Sequence, residues 1–275
     1  MGLTLKNAEL FRTKPFINGE WFESKSTKVI KVYDPATEEL IAELPDQTPE
    51  EIDFAIESTH QAFESFKKTN AYDRSKMLRK LHELMIENLD DLAAIITAEN
   101  GKCLADSLGE IKYAASYFEW FAEEAKRMYG HTIQPSNHNN KVLTYKQPVG
   151  AVGLLCPFNF PSAMGARKAA PAFAAGCTAI LKPDGQTPLS SLALAYLADK
   201  AGIPAGVFNV VLTSTENTPM CGLKFCESPY IKKVSFTGST RVGKILMGQS
   251  SSTLKKLSME LGGNAPVIVF DDADL

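Results

Sequence analysis

The sequence predicts an α/β fold, a Rossmann-like parallel sheet with helices on both faces. Three observations predict it. In the second half, the apolar runs AVGLLC, TAILK, VFNVVL, KKVSF and KLSMEL alternate with helix-like segments that begin near Ser162, Pro188, Thr218 and Thr240. Short β-branched runs between helices form strands covered on both faces, the condition of a parallel sheet. Several of these runs also end in glycine, proline or a single polar residue, and ligands of such sheets bind beyond the carboxyl ends of the strands. The first half instead carries helical stripes that are most simply core-facing surfaces.

Along the chain, PFINGEWFES and KVIKVYDP read as two short β pieces. Thr48-Pro49-Glu50-Glu51 is a capping box with proline at its first helical position. It opens a helix in which Ile52, Ile56, Thr59, Phe63 and Phe66 recur at helical spacing. A second helical stretch runs from Asp73 through Met77, Leu81, Leu84 and Met85, restarts at Asp90-Asp91 and stops at Asn100-Gly101. The third, ADSLGEIKYAASYFEWFAEEAKRMYG, stops at Gly130 and turns Ile111, Ala115, Phe118, Phe121 and Met128 to the core. Residues 131–149 are polar and turn-rich with a β-like end, and read as an arm leaving the globule.

Composition narrows the function classes. Of 275 residues, 44% are hydrophobic and 22% charged, as in ordinary globular chains. A net charge of -3 gives no reason to expect nucleic acid or an anionic membrane as partner. The first residues lack the apolar core of a secretory signal and make a poor transit peptide. The most apolar window, Ala169 to Leu181, is 13 residues long, against the ~20 that span a bilayer. Cysteines 103, 156, 177, 221 and 226 show no C-x-x-C spacing, and the four histidines no metal-ligand pattern. That argues against a disulfide scaffold or a metal site and for a reducing compartment, most simply the cytoplasm.

GSTRVGKI (238–245) nearly spells the phosphate loop G-x-x-x-x-G-K-[ST], but Ile245 stands where a hydroxyl must hold magnesium. A triphosphatase is disfavoured on that ground. A strand leading through Thr-Gly-Ser into a helix N-terminus still offers N–H groups and a favourable dipole to a phosphate. The chain also lacks G-x-G-x-x-G, so a dinucleotide is not expected in the usual Rossmann pose.

PFNFP (157–161), KPDGQTP (182–188), FTGST (236–240) and MELGG (259–263), in that order, resemble the aldehyde dehydrogenase superfamily, as do FINGEW and the YFEWFAEEA helix. Within it, EIKYAASYFEWFAEEAKRMYG, PSAMGARK and SSSTLKKLSMELGGNAP are most similar to the succinate-semialdehyde type. The resemblance implies NAD- or NADP-dependent oxidation of an aldehyde, succinate semialdehyde, to the acid in 4-aminobutyrate catabolism. A cysteine thiolate would form a thiohemiacetal, hydride would pass to the nicotinamide, and water would hydrolyse the thioester. On that pattern Asn159 donates to the oxyanion and Glu260 is the general base for the thiol or the deacylating water. Arg167 binds the substrate carboxylate, a planar group that suits a guanidinium fork.

The same resemblance places the cofactor on Phe158, Asn159, Lys182, Pro183, Asp184, Gly185, Gly238, Ser239, Thr240, Gly243 and Leu261. Lys182 would reach the adenosine ribose and Ser239 the pyrophosphate. Gly185 stands where many NAD-preferring relatives carry a glutamate that repels a 2′-phosphate, so NADP is expected to be accepted. Phe158 replaces the family's usual tryptophan. Gly165, inside the helix that carries Arg167, is expected to loosen it, at about 1 kcal/mol relative to alanine.

The resemblance further implies an NAD(P)-binding domain over 1–130 and 150–262, an oligomerisation arm over 131–149, and the start of a catalytic domain at 263–275. In the family the nucleophilic cysteine follows MELGG by a few tens of residues, and so does the segment that pairs with the arm. Neither lies within these 275 residues, and Cys156 reads as buried strand. The chain by itself is therefore expected to be inactive and prone to association. The alternative is a non-catalytic NAD(P)-binding protein, or a partner of a full-length relative.

Overall fold

The capping box closes as its sequence requires: Glu51 N–H donates to Thr48 Oγ1 (3.4 Å) and Thr48 N–H donates to Glu51 Oε2 (3.1 Å). It starts α1 (Pro49–Phe66) in the computed structural model, which describes residues 3–274. Before it lie the antiparallel pair β1 (Phe16–Ile17) and β2 (Glu20–Trp21) and the hairpin β3 (Val29–Tyr33) and β4 (Leu40–Pro45). After it come α2 (Ala71–Glu87) and α3 (Leu89–Asn100). Gly101 ends α3 at φ 76°, a left-handed cap that glycine takes without steric cost. α4 (Leu104–Ala125) follows, then a hairpin of β5 (Thr132–Ile133) and β6 (Val142–Leu143) whose four residues are all exposed.

The second half alternates as its sequence predicts: β7 (Ala151–Leu155), α5 (Ala163–Ala174), β8 (Thr178–Lys182), α6 (Leu189–Lys200) and β9 (Phe208–Val210). α7 (Thr218–Glu227), β10 (Ile231–Thr237), α8 (Thr240–Ser250) and β11 (Lys256–Glu260) complete it. The main sheet runs β11-β10-β7-β8-β9-β1-β2, parallel from β11 through β9.

Alternation along the central strands divides the core. Val152 and Leu154 of β7 and Ala179 and Leu181 of β8 pack under α2, α4, α5 and α6. Ala151 and Leu155 of β7 and Ile180 of β8 face α1, α7 and α8. Period-two alternation sends neighbouring side chains to opposite faces, so each strand serves both layers. Phe173 of α5 meets Phe208 of β9 edge-on at 5.5 Å, tying helix to sheet. α5 is continuous through Gly165, whose absent Cβ would stand 3.2 Å from Leu181. The glycine therefore brings the helix close to β8 rather than loosening it. Among the described residues no helix is long and apolar enough to cross a membrane.

Candidate functional site

The strand order reverses at β7. From it the chain steps to β8 and β9 on one side, while β10 and β11 lie on the other. Such a switch point opens a crevice at the strand carboxyl ends. The loop carrying Phe158 and Asn159 follows β7, Gly238 and Ser239 follow β10, Lys182 ends β8 and Glu260 ends β11. Four segments read separately in the sequence thus share one end of the sheet.

On one side of this end the residues fit a dinucleotide. Ser239 caps α8, accepting from Val242 N–H at its side chain (3.3 Å) and from Gly243 N–H at its carbonyl (3.0 Å). The N–H groups of Thr240 and Arg241 have no acceptor among the described residues, as expected of a first helical turn. They and the helix dipole favour a phosphate. Gly238 continues the ladder by donating to the Glu260 carbonyl (3.0 Å), and a Cβ there would lie 2.4 Å from the Phe236 ring. A Cβ on Gly243 would lie 2.6 Å from Leu261, so Leu261 rests on the first turns of α8.

Lys182 is 4% exposed, and its ammonium has no hydrogen-bond acceptor among the described residues. Burial pulls its pKa below the usual lysine range, with Asp184 opposing. A largely buried lysine whose ammonium makes no protein hydrogen bond leaves its three donors open to a ligand. Beyond it Pro183 is buried, and Asp184 accepts from Gln186 N–H (3.0 Å) to shape the turn. Gly185 is buried too, and a Cβ there would stand 3.1 Å from the Thr213 carbonyl. A bare glycine here carries no charge to repel a phosphate.

The other side of the sheet end carries acid–base groups. Glu260 Oε1 lies 3.2 Å from Arg167 Nη1, and Glu260 Oε2 accepts from Thr237 Oγ1 (3.0 Å). Lys168 Nζ in turn donates to Thr237 Oγ1 (2.8 Å) and Ser235 Oγ (3.1 Å). Burial lowers the pKa of Lys168. Arg167, Lys168, Ser235 and Glu260 line a cavity of about 510 Å³ between α5 and the β7–β10–β11 edge, together with Lys233 and Cys177. Arg167 stands 5.9 Å from the Tyr117 ring, and burial first, then the bond to Tyr113, pushes the Tyr117 hydroxyl up to about 12.

The structure brings Arg167 and Glu260 together, so the guanidinium expected to take a substrate carboxylate already holds the chain's own. Asn159 joins neither by a hydrogen bond among the described residues. Its side-chain amide has no hydrogen-bond partner among the described residues and the residue is exposed, while Phe158 presents an exposed ring on the same loop. The sequence assigns no role to Lys168, and it marks Thr237 only as a strand-end residue. Lys168 was visible as the charge flanking an apolar window, and Thr237 as the hydroxyl of FTGST.

Burial also settles the state of four thiols. Cys156 and Cys221 are raised to about 12 by burial, partly offset for Cys156 by Lys168 and Lys182. Cys177 and Cys226 are raised from the same cause. Such groups stay protonated at neutral pH, and the thiolate is the nucleophilic form. Cys103 is exposed but occupies the N-cap of α4, in a loop position rather than a helical one. No group of three or more His, Cys, Asp or Glu among the described residues could hold a metal.

The sequence model of the aldehyde dehydrogenase family matches residues 21–275. The chain belongs to that family. It is 60% identical to the succinate-semialdehyde dehydrogenase [NADP(+)] of Saccharomyces cerevisiae over 99% of the chain and 54% of the relative. It is 50% identical to the glutarate-semialdehyde dehydrogenase of Pseudomonas putida over 99% of the chain and 56% of the relative. The crystal structure of an aldehyde dehydrogenase from Brucella melitensis biovar abortus superposes with a TM-score of 0.94 at 46% identity, over 99% of this chain and 56% of that one. The chain spans about half the length of these relatives.

Proposed function

We propose that this chain supplies the cofactor cradle, the oxyanion donor and the general base of an NADP-accepting aldehyde dehydrogenase that acts on a semialdehyde of a dicarboxylic acid, succinate semialdehyde foremost. The observation that carries the reading is the convergence of Lys182, Ser239, Asn159 and Glu260 on one end of a sheet at its switch point. Supporting it, the yeast relative is named for NADP(+), and both named relatives for semialdehydes with a distal carboxylate.

The dinucleotide, when bound, supplies the hydride acceptor. The chain's own residues do the rest. Lys182 and the α8 N-terminus hold the adenosine and phosphate portions, and Gly185 admits a 2′-phosphate. The free amide of Asn159 donates to the carbonyl oxygen as negative charge develops there. Glu260, already the acceptor of the Thr237 hydroxyl, takes a proton from the attacking thiol or water. Arg167 binds the distal carboxylate in exchange for its contact with Glu260. The exposed 131–149 hairpin serves as a pairing arm. By itself the 275-residue chain binds the dinucleotide but oxidises no aldehyde: four of its five cysteines are buried and held protonated, and the exposed Cys103 has no hydrogen-bonded base among the described residues.

Calorimetric titration tests both ligands. NADP should bind at least as tightly as NAD, and succinate more tightly than succinamide, with the succinate preference lost in Arg167→Ala. A tenfold preference for NAD would overturn the cofactor reading. Equal binding of succinate and succinamide would remove Arg167 from the substrate site.

A further inference from the structure

We propose that Lys102 and Glu110 form an ionic clamp that positions Asn159 and Arg167. They are positioning residues, and the inference rests on the site proposed above. Glu110 lies on α4, facing the core along the stripe of Ala114 and Phe118. Its side chain is wholly buried and pairs with Lys102 Nζ at 2.6 Å. Its other oxygen, Oε1, accepts from the N–H groups of Ser162 (2.9 Å) and Ala163 (3.1 Å). These begin α5, where the Ser162 side chain makes no capping bond. The helix that carries Arg167 is thus capped by a carboxylate 52 residues earlier in the chain.

The cation completes the device. Lys102 Nζ also donates to the Asn159 carbonyl (2.9 Å) and stands 3.8 Å from the centre of the Phe160 ring. Two residues earlier, at the end of α3, Asn100 Nδ2 donates to the Phe158 carbonyl (2.9 Å). Phe158, Asn159, Phe160, Ser162 and Ala163 are therefore all held from the α3–α4 connection and α4. The Asn159 amide has no partner of its own among the described residues, so its aim follows from the backbone that Lys102 holds. A salt bridge that only neutralised a buried acid would not need to reach the backbone of the reactive loop. Here each partner does, the anion at the helix start and the cation at the asparagine.

The test uses the full 275-residue chain and the variants Lys102→Met, Lys102→Arg and Glu110→Gln. Backbone hydrogen exchange reads the clamp without any ligand. Exchange at Ser162 and Ala163, whose N–H groups Glu110 holds, should speed at least tenfold in Lys102→Met and Glu110→Gln, while β7 and β8 keep the wild-type rate. Succinate should bind at least fivefold more weakly to Glu110→Gln, NADP within twofold of wild type, and Lys102→Arg should restore slow exchange. If Lys102→Met does not fold, the near-isosteric Glu110→Gln carries the test. Unchanged exchange at Ser162 and Ala163, or a loss of succinate and NADP affinity in equal proportion, would overturn the clamp. Failure of the wild type to bind either ligand would overturn the proposed function instead, and the exchange rates would still decide the clamp.

Discussion

Replacing Glu99 by glutamine measures how strongly burial governs this fold. Glu99 is 3% exposed at the end of α3 and caps α6 from outside: Leu189 N–H donates to Oε2 (2.7 Å) and Ser190 N–H to Oε1 (2.8 Å), beside the Ser190 hydroxyl. These donors favour the carboxylate, yet burial outweighs them and lifts its pKa from 4.5 to about 7. A raised carboxyl pKa means that the folded chain keeps a proton the unfolded chain has already released. Below the unfolded value of 4.5 both states are protonated and the stabilisation is complete. Between 4.5 and about 7 stability falls as pH rises, and above about 7 the loss is constant. At about 1.4 kcal/mol per pH unit the total is roughly 3 kcal/mol. Urea unfolding of wild type and Glu99→Gln between pH 4.5 and 8 reads it directly. The wild type should lose roughly 3 kcal/mol relative to the variant across that range. Parallel stability curves would contradict this, since they would mean that the three donors keep the group ionised throughout.

The buried thiols and the contact between α8 and Leu261 lead to two further outcomes. Iodoacetamide at neutral pH should label native protein once, at Cys103, and the other four cysteines only after unfolding. Two or more adducts in the native mass spectrum would contradict the burial argument. Gly243→Ala should displace Leu261, whose side-chain end lies 2.6 Å from the new Cβ, at a stability cost under about 1 kcal/mol because that end can turn away. NADP affinity should nonetheless fall several-fold, and unaltered affinity would show that Leu261 plays no part in holding the cofactor.

Much of the architecture was legible because it is local. The four helix starts near Ser162, Pro188, Thr218 and Thr240 and the strands between them follow from short apolar runs broken by turn residues. Local rules were also where boundaries slipped. The second helix begins at Ala71 rather than Asp73, because Asn70 accepts from Asp73 N–H (2.9 Å) and so acts as its cap. The third ends at Ala125, before the expected stop at Gly130. The run VFNVVL yields only three strand residues. Asn209 at its centre is committed to Asn18 N–H, Thr59 Oγ1 and the Gly206 carbonyl, bonds made largely outside the strand ladder.

The site was legible as residue types at strand ends, but not as a network. Glu260 meets Arg167 across 93 residues and Lys168 meets Thr237 across 69, separations over which no spacing rule operates. Glu110 gave a weak signal, an acid within an apolar helical stripe. Nothing short of the folded chain shows that it caps α5. The strand order, which places β10 beside β7, is likewise a property of the crossovers rather than of any one segment.

This sheet end is expected to bind a phosphorylated dinucleotide through Lys182. Fluorescence titration of NADPH into wild type and Lys182→Met, with folding verified by circular dichroism, tests it most directly. The wild type should bind saturably at one to one, and the variant at least tenfold more weakly. Equal affinity in the two, or no saturable binding by the folded wild type, would contradict it.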